Sequence, residues 1–246
     1  MSDPPVLIRH CHTVPEFDQM VELEFAVWGF GERDVVPSQM YVVAAKIGGQ
    51  VLGAFVEDKM VGFALAYPGV RDGHPYLHSH MAAVLPEYRD LGIGRQLKLA
   101  QRDDALARGI PLIEWTFDPL QTRNAYFNIC RLGTVVRRYL LDVYGSTSSP
   151  LHGGLPTDRL VAEWHLASDR VENVLAGKEP RRGHAIERVE VLLDGSSPEK
   201  IAGTQAQTRQ RFQELFLNGY VVTWFERAPG GGTYILDRSH TGTSAE

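Results

Sequence analysis

Val84-Leu85-Pro86-Glu87-Tyr88-Arg89-Asp90-Leu91-Gly92-Ile93-Gly94, continuing as Arg95-Gln96-Leu97-Lys98, decides how this chain is read. A short apolar strand, Met81-Ala82-Ala83-Val84, runs into it. Behind it Ile93, Leu97 and Ala100 recur at i, i+4 and i+7, the stripe of a helix that packs on a sheet. Gly109-Ile110-Pro111 stops that helix, and Leu112 to Phe117 then predicts a second, parallel strand. The first turn of a helix carries backbone N–H groups without an internal partner, at the positive end of the macrodipole. Gly92 and Gly94 keep side chains out of that space, so the turn forms a nest for a pyrophosphate. A plain strand–turn–helix connection uses glycine in the same way, but the ordered strand, helix and strand around the loop favour the anion-binding reading. A dinucleotide fingerprint needs a third glycine in another setting, and a P-loop needs a following Gly-Lys-Ser/Thr.

Composition narrows the class of protein. The 246 residues suffice for one large domain or two small ones, and 43% apolar with 22% charged residues is ordinary for a soluble globular protein. A net charge of −5 without a Lys/Arg tract argues against a nucleic-acid partner. The start, Met1-Ser2-Asp3-Pro4-Pro5, lacks a basic-then-apolar signal, and the apolar runs stay far below the ~18 residues of a membrane span. Cys11 and Cys130 form no metal or redox spacing and are expected as free thiols in a reducing compartment, the cytoplasm.

The pattern predicts a strand at 6–9, a helix from Pro15 to Trp28, an aromatic turn at 28–31 and a helix from Pro37 to Ile47. Val51 to Val56 and Met60 to Tyr67 read as a hairpin, and Tyr76 to Val84 as the strand before the loop. Helix 92–108, strand 112–117, helix 122–132, strand 135–144 and strand 158–166 follow. Gly177 to His184 reads as a linker. Beyond it come a strand at 186–193, a helix at 198–217, a strand at 220–225 and a pairing segment at 233–236, with 239–246 disordered.

The spacing Arg89-x-x-Gly92-x-Gly94 resembles the acyl-coenzyme A loop of the GNAT acyltransferase superfamily, and the element order is similar to that family over about residues 5–166. The resemblance implies an α/β fold with a mixed sheet, antiparallel strands first and a parallel pair in the middle. It divides the chain into an N-acetyltransferase domain, 1–166, and a C-terminal α/β extension packed on the core, 167–246. Trp115 to Leu120, Asn124 to Asn128 and Gly154 to Leu160 resemble a GNAT subgroup whose acceptor the resemblance does not identify.

Acyl transfer from a thioester to an amine needs a base for the amine, a donor for the tetrahedral oxyanion and a proton for the leaving thiolate. His78 and His80 lie two apart on the strand before the loop, so a regular strand points both to one face, and histidine titrates near neutral pH. The run His78-Ser79-His80-Met81-Ala82-Ala83-Val84 is similar to the arylalkylamine N-acetyltransferases, where two strand histidines serve proton removal. Hydrogen-bonded core histidines are the competing reading, and either one could be the base. Glu114, in an otherwise apolar strand, needs a partner or a raised pKa if buried and is an alternative base. The family places its thiolate acid four residues before the glycine that is Gly133 here. Ile129 holds that place, so Tyr126 is a displaced candidate.

For the co-substrate, acetyl-CoA or another acyl-CoA, the resemblance implies contacts from the backbone of Ala83, Val84 and Leu85. It adds the amides of Arg89, Asp90, Leu91, Gly92, Ile93 and Gly94, and Asn124 with Phe127 on the later helix. Arg95 and Lys98 read as a solvated helix face with a phosphate contact as the alternative, and Trp28 with Phe30 as core packing or the wall of an apolar acceptor pocket. No metal is expected. The acceptor is a small-molecule amine or a protein amine, and the strand-rich tail would support a homodimer through edge pairing. A non-catalytic acyl-CoA-binding or sensing protein is the rival function.

Overall fold

A computed structural model describes residues 5–145, 154–180, 183, 186–193 and 197–238. The expected disorder at 239–246 and part of the linker at 177–184 lie outside the described residues. The chain is a mixed α/β protein and divides into two compact units, the first built from the described residues up to Glu114 together with Gly154, the second from the other described residues after Glu114.

In the first unit β1 (Val6–His10), β2 (Gln50–Val56), β3 (Lys59–Arg71) and β4 (His74–Val84) form consecutive antiparallel pairs. β5 (Leu112–Phe117) starts parallel to β4, with Leu77 opposite Ile113 and His78 opposite Glu114. α1 (Val14–Trp28) begins with a capping box in which the Glu16 carboxylate accepts from the N-cap Thr13 N–H (3.0 Å), and it also accepts from the preceding His12 N–H (2.9 Å). α1 and α2 (Ser38–Lys46) close one face of the sheet around Phe17, Met20, Tyr41, Phe63, Leu65, Met81 and Ala83. α3 (Ile93–Ala107) closes the other through Ile93 and Leu97 against Leu52, Ala54, Val61 and Ala64.

The β3–β4 register slips once. Leu65 faces Met81 but Ala66 faces Ser79, so β4 carries His80 as an extra residue. A bulge sends two successive side chains to similar sides and reverses the alternation beyond it. Met81 and Ala83 therefore pack with α1 and α2, while Ser79, four residues from Ala83, meets α3 instead.

In the second unit the strand order is β7-β6-β9-β10-β8, with every described pair antiparallel: β6 (Val135–Leu140), β7 (Arg159–His165), β8 (Glu187–Leu192), β9 (Val221–Ala228) and β10 (Gly231–Asp237). Phe212 of α6 (Pro198–Leu217) packs on Tyr234, with ring centroids 5.1 Å apart, and Tyr234 packs on Phe225 at 4.8 Å.

Three expectations need correction here. The helix expected over 122–132 is a short α4 (Thr122–Tyr126) followed by a π-helical turn, Phe127–Arg131, closed by Leu132 N–H to Phe127 O at 3.1 Å. The Leu132 carbonyl accepts from Trp164 Nε1 (2.7 Å) and the Gly133 carbonyl from Arg170 Nε (3.0 Å), so tertiary donors fix this wider ending. The strand expected over 135–144 stops at Leu140 because Asp158 draws the chain into a turn. Its buried carboxylate accepts from the Asp142 N–H (3.1 Å), Tyr139 Oη (2.8 Å) and Arg209 Nε (2.8 Å). Asp169–Leu175, read without an element, is a helix, α5, started by Ser168 Oγ accepting from Val171 N–H.

Candidate active site

The loop after β4 is built as the glycine spacing requires. Pro86–Tyr88 makes one 3₁₀ turn, Asp90 takes φ +66°, and Gly92 takes φ +76° at the cap of α3. A β-carbon built on Gly92 would meet nothing within 4 Å, so the space over the start of α3 is open and conformation, rather than crowding by the protein, calls for glycine. Arg89, Asp90, Leu91 and Gly92 are exposed, whereas the Ile93 side chain is buried and leaves only its amide for a ligand. An exposed helix start with an open cradle fits a diphosphate.

Strand β3 comes close behind the loop strand. A β-carbon on Gly62 would lie 2.7 Å from the Ala83 carbonyl oxygen. The Leu85 amide donates to Val61 O at 2.9 Å and is committed to the sheet. Antiparallel alternation then turns the Val84 N–H away from β3, so Val84 is the donor that the strand geometry leaves.

His78 and His80 lie side by side with ring centroids 6.1 Å apart, and His80 lies 5.9 Å from Tyr67 of β3. His78 is half-buried, and burial lowers its pKa below the ordinary value. The Glu114 carboxylate opposes that shift, while the charges of Lys98 and Arg71 add to it. His80 keeps an exposed edge, yet the protein packed around it disfavours the imidazolium, and with His78 nearby its pKa falls to about 4. Both imidazoles are therefore neutral at pH 7, the form that accepts a proton.

Glu114 is buried, and Arg71 reaches both its carboxylate oxygens at 2.6 and 2.7 Å. Such a two-pronged pair holds the carboxylate ionised with its lone pairs engaged, which suits a fixed charge opposite His78 better than a base. Glu114→Gln, which leaves the half-exposed Arg71 without its counter-ion, is expected to cost about 1–3 kcal/mol in urea unfolding.

Lys98 is the other departure from the sequence reading. It is 4% exposed and hydrogen-bonded to Ser79 Oγ at 2.7 Å beneath β4, neither on a solvated face nor poised for a phosphate. Its position one residue after buried Leu97 and three before buried Gln101 was the available signal. Trp28 and Phe30 stack at 5.5 Å and pack, partly buried, against the same cluster as Tyr67, Val36 and Leu85. Beneath them the buried Glu24 carboxylate accepts from the Val36 N–H (2.9 Å) and Tyr41 Oη (2.5 Å), anchoring the segment between α1 and α2.

Asn124, Tyr126 and Phe127 belong to the second unit. Asn124 is exposed within α4, Phe127 opens the π-helical turn, and the Arg227 guanidinium sits 4.4 Å over the Tyr126 ring. Ile129, at the family's tyrosine place, is fully buried.

A bulged strand, a glycine-bearing turn and an exposed helix start thus follow one another along the first unit. Residues 10–127 match the acetyltransferase (GNAT) family model. The ribosomal-protein-S18-alanine N-acetyltransferase of Escherichia coli is similar in structure (TM-score 0.54, 15% identity, covering 67% of this chain and 96% of that one). So are Naa50 of Arabidopsis thaliana, solved with the bisubstrate analogue CoA-Ac-MVNAL (0.51, 18%, 64% and 97%), and yncA of Salmonella typhimurium, solved with its cofactor acetyl-CoA (0.50, 15%, 67% and 95%). At these identities the likeness is one of fold. No curated protein matches the sequence.

Proposed function

We propose that this protein is an acyl-CoA-dependent N-acyltransferase, an acetyltransferase in the simplest case, acting by direct attack in a ternary complex. The reading rests on the family-model match over residues 10–127 and on one observation above others: two imidazoles side by side on the strand that ends at the Val84 amide and the Arg89–Gly94 loop. The amides of Arg89 to Gly94 hold the pyrophosphate, and the backbone of Ala83 and Val84 lies along the pantetheine arm. The amine nitrogen attacks the thioester carbonyl carbon, the C–N bond forms and the C–S bond breaks. His78 or His80 takes the amine proton directly or through water, the Val84 N–H donates to the oxyanion, and the thiolate leaves with the electron pair and is protonated. Trp28, Phe30 and Tyr67 suit an apolar or aromatic amine. In this reading the acyltransferase domain spans 1–166, 167–246 is its extension, and the protein works in the cytoplasm, with dimerisation through a strand edge open to test.

A second reading, an acyl-CoA-binding or sensing protein without transfer, draws on the buried Ile129 at the tyrosine position and on Tyr126 lying under Arg227. Calorimetric titration with acetyl-CoA and with CoA, followed by an amine panel, separates the two. Micromolar binding with turnover supports the enzyme, persistent binding without transfer supports the sensor, and no binding to either overturns both.

A further inference from the structure

The β4 bulge decides where the histidines point, and something must hold it. On the side away from His78 and His80, Lys98 Nζ donates to Ser79 Oγ at 2.7 Å, and Ser79 Oγ donates onward to Gln101 Oε1 at 3.0 Å. Gln50 Nε2 on β2 donates to the Gln101 carbonyl and to Asp104 Oδ2, both at 2.7 Å. Lys98, Ser79, Gln101 and Gln50 are all buried. Ser79 is the residue flanked by both histidines, next to the place where the β3–β4 register slips.

We infer that Lys98 and Ser79 are positioning residues that lock the β4 bulge from beneath the sheet and so set His78 and His80 side by side on the opposite face. A buried lysine is an expensive anchor where an apolar side chain would fill the space. Its consequence is electrostatic as well as geometric. Burial lowers the Lys98 pKa to about 7, so the ammonium gains its charge as pH falls toward the range below 6.5 in which His78 titrates, and there it opposes a second positive charge. The other charged groups acting on His78 are Glu114 of β5, which favours its protonation, and Arg71 of β3, which opposes it; His80 of β4, whose own protonation His78 opposes, and Tyr67 of β3 against it complete the surroundings. The catalytic meaning of this pair rests on the proposed proton-removal role of the histidines, but the lock itself does not.

The test is imidazole NMR of the free protein across pH, with no acceptor present. In Lys98→Met both histidine ring signals should move, and the His78 midpoint should rise by about half a unit to one unit. The acid limb of kcat/KM should rise with it, while acetyl-CoA affinity stays within about twofold. Ser79→Ala keeps the charge and loses the lock, so the ring signals move with a smaller change in midpoint. Lys98→Gln keeps a donor and should restore ring positions in part without restoring the midpoint. If Lys98→Met does not fold, the Ser79→Ala and Lys98→Gln spectra decide. Unchanged ring signals and midpoints in the folded variants overturn the inference. An NMR response in a protein that transfers no acyl group leaves the lock standing and removes the acyltransferase reading instead.

Discussion

Gly92→Glu should weaken acetyl-CoA binding by about 100-fold or more, to the point where titration detects none, while the cooperative melt persists. Two effects act at one place. Gly92 sits at φ +76°, where any L side chain costs about 1–2 kcal/mol, and the open space over its α-carbon is the space a pyrophosphate would occupy. A glutamate brings a carboxylate to a helix start whose amides are there to meet negative charge, so it competes with the ligand as well as repelling it. Gly92→Ala separates the parts, since it carries the backbone strain without the charge and should bind with an intermediate affinity. Equal affinity for wild type and Gly92→Glu would remove the loop from the binding site.

Replacing both His78 and His80 by alanine should lower turnover by ~10²–10⁴-fold with little change in acetyl-CoA affinity. The pH profile carries the sign. Both folded pKa values lie below 6.5, so the base form is full at pH 7 and activity falls only as pH drops through the folded His78 value. The same depression links to stability. Between pH 6.5 and the folded values the unfolded chain binds protons that the folded one resists, so the histidines' contribution to stability rises with pH through that window and is flat above it. The double variant should lose both the acid limb and this slope. Full activity in it would hand proton removal to bulk water, since the Glu114 oxygens are engaged by Arg71.

Local patterns carried most of the fold. The α3 stripe, the β2–β3 hairpin, the α6 helix and the β9–β10 pair were legible because each is written in short-range periodicity. The ends of α4 and β6 were not, because partners distant in sequence set them: Trp164 and Arg170 receive the turn after Arg131, and Asp158 ends the strand at Leu140. Within the site, the loop and both histidines could be found from spacing alone. Arg71 as the partner of Glu114 lies 43 residues away, and no local rule reaches that far.

A glycine-bearing loop between a strand and an amphipathic helix, two histidines on the strand before it, and an α/β element order similar to GNAT proteins are all readable from the order of residues. Tertiary structure decided how those parts act. It committed the Leu85 amide to Val61, buried Lys98 under Ser79, neutralised Glu114 with Arg71, and slipped the register at His80. Each of these depends on which strand lies beside which and on what burial does to a charge, and periodicity within one segment encodes neither.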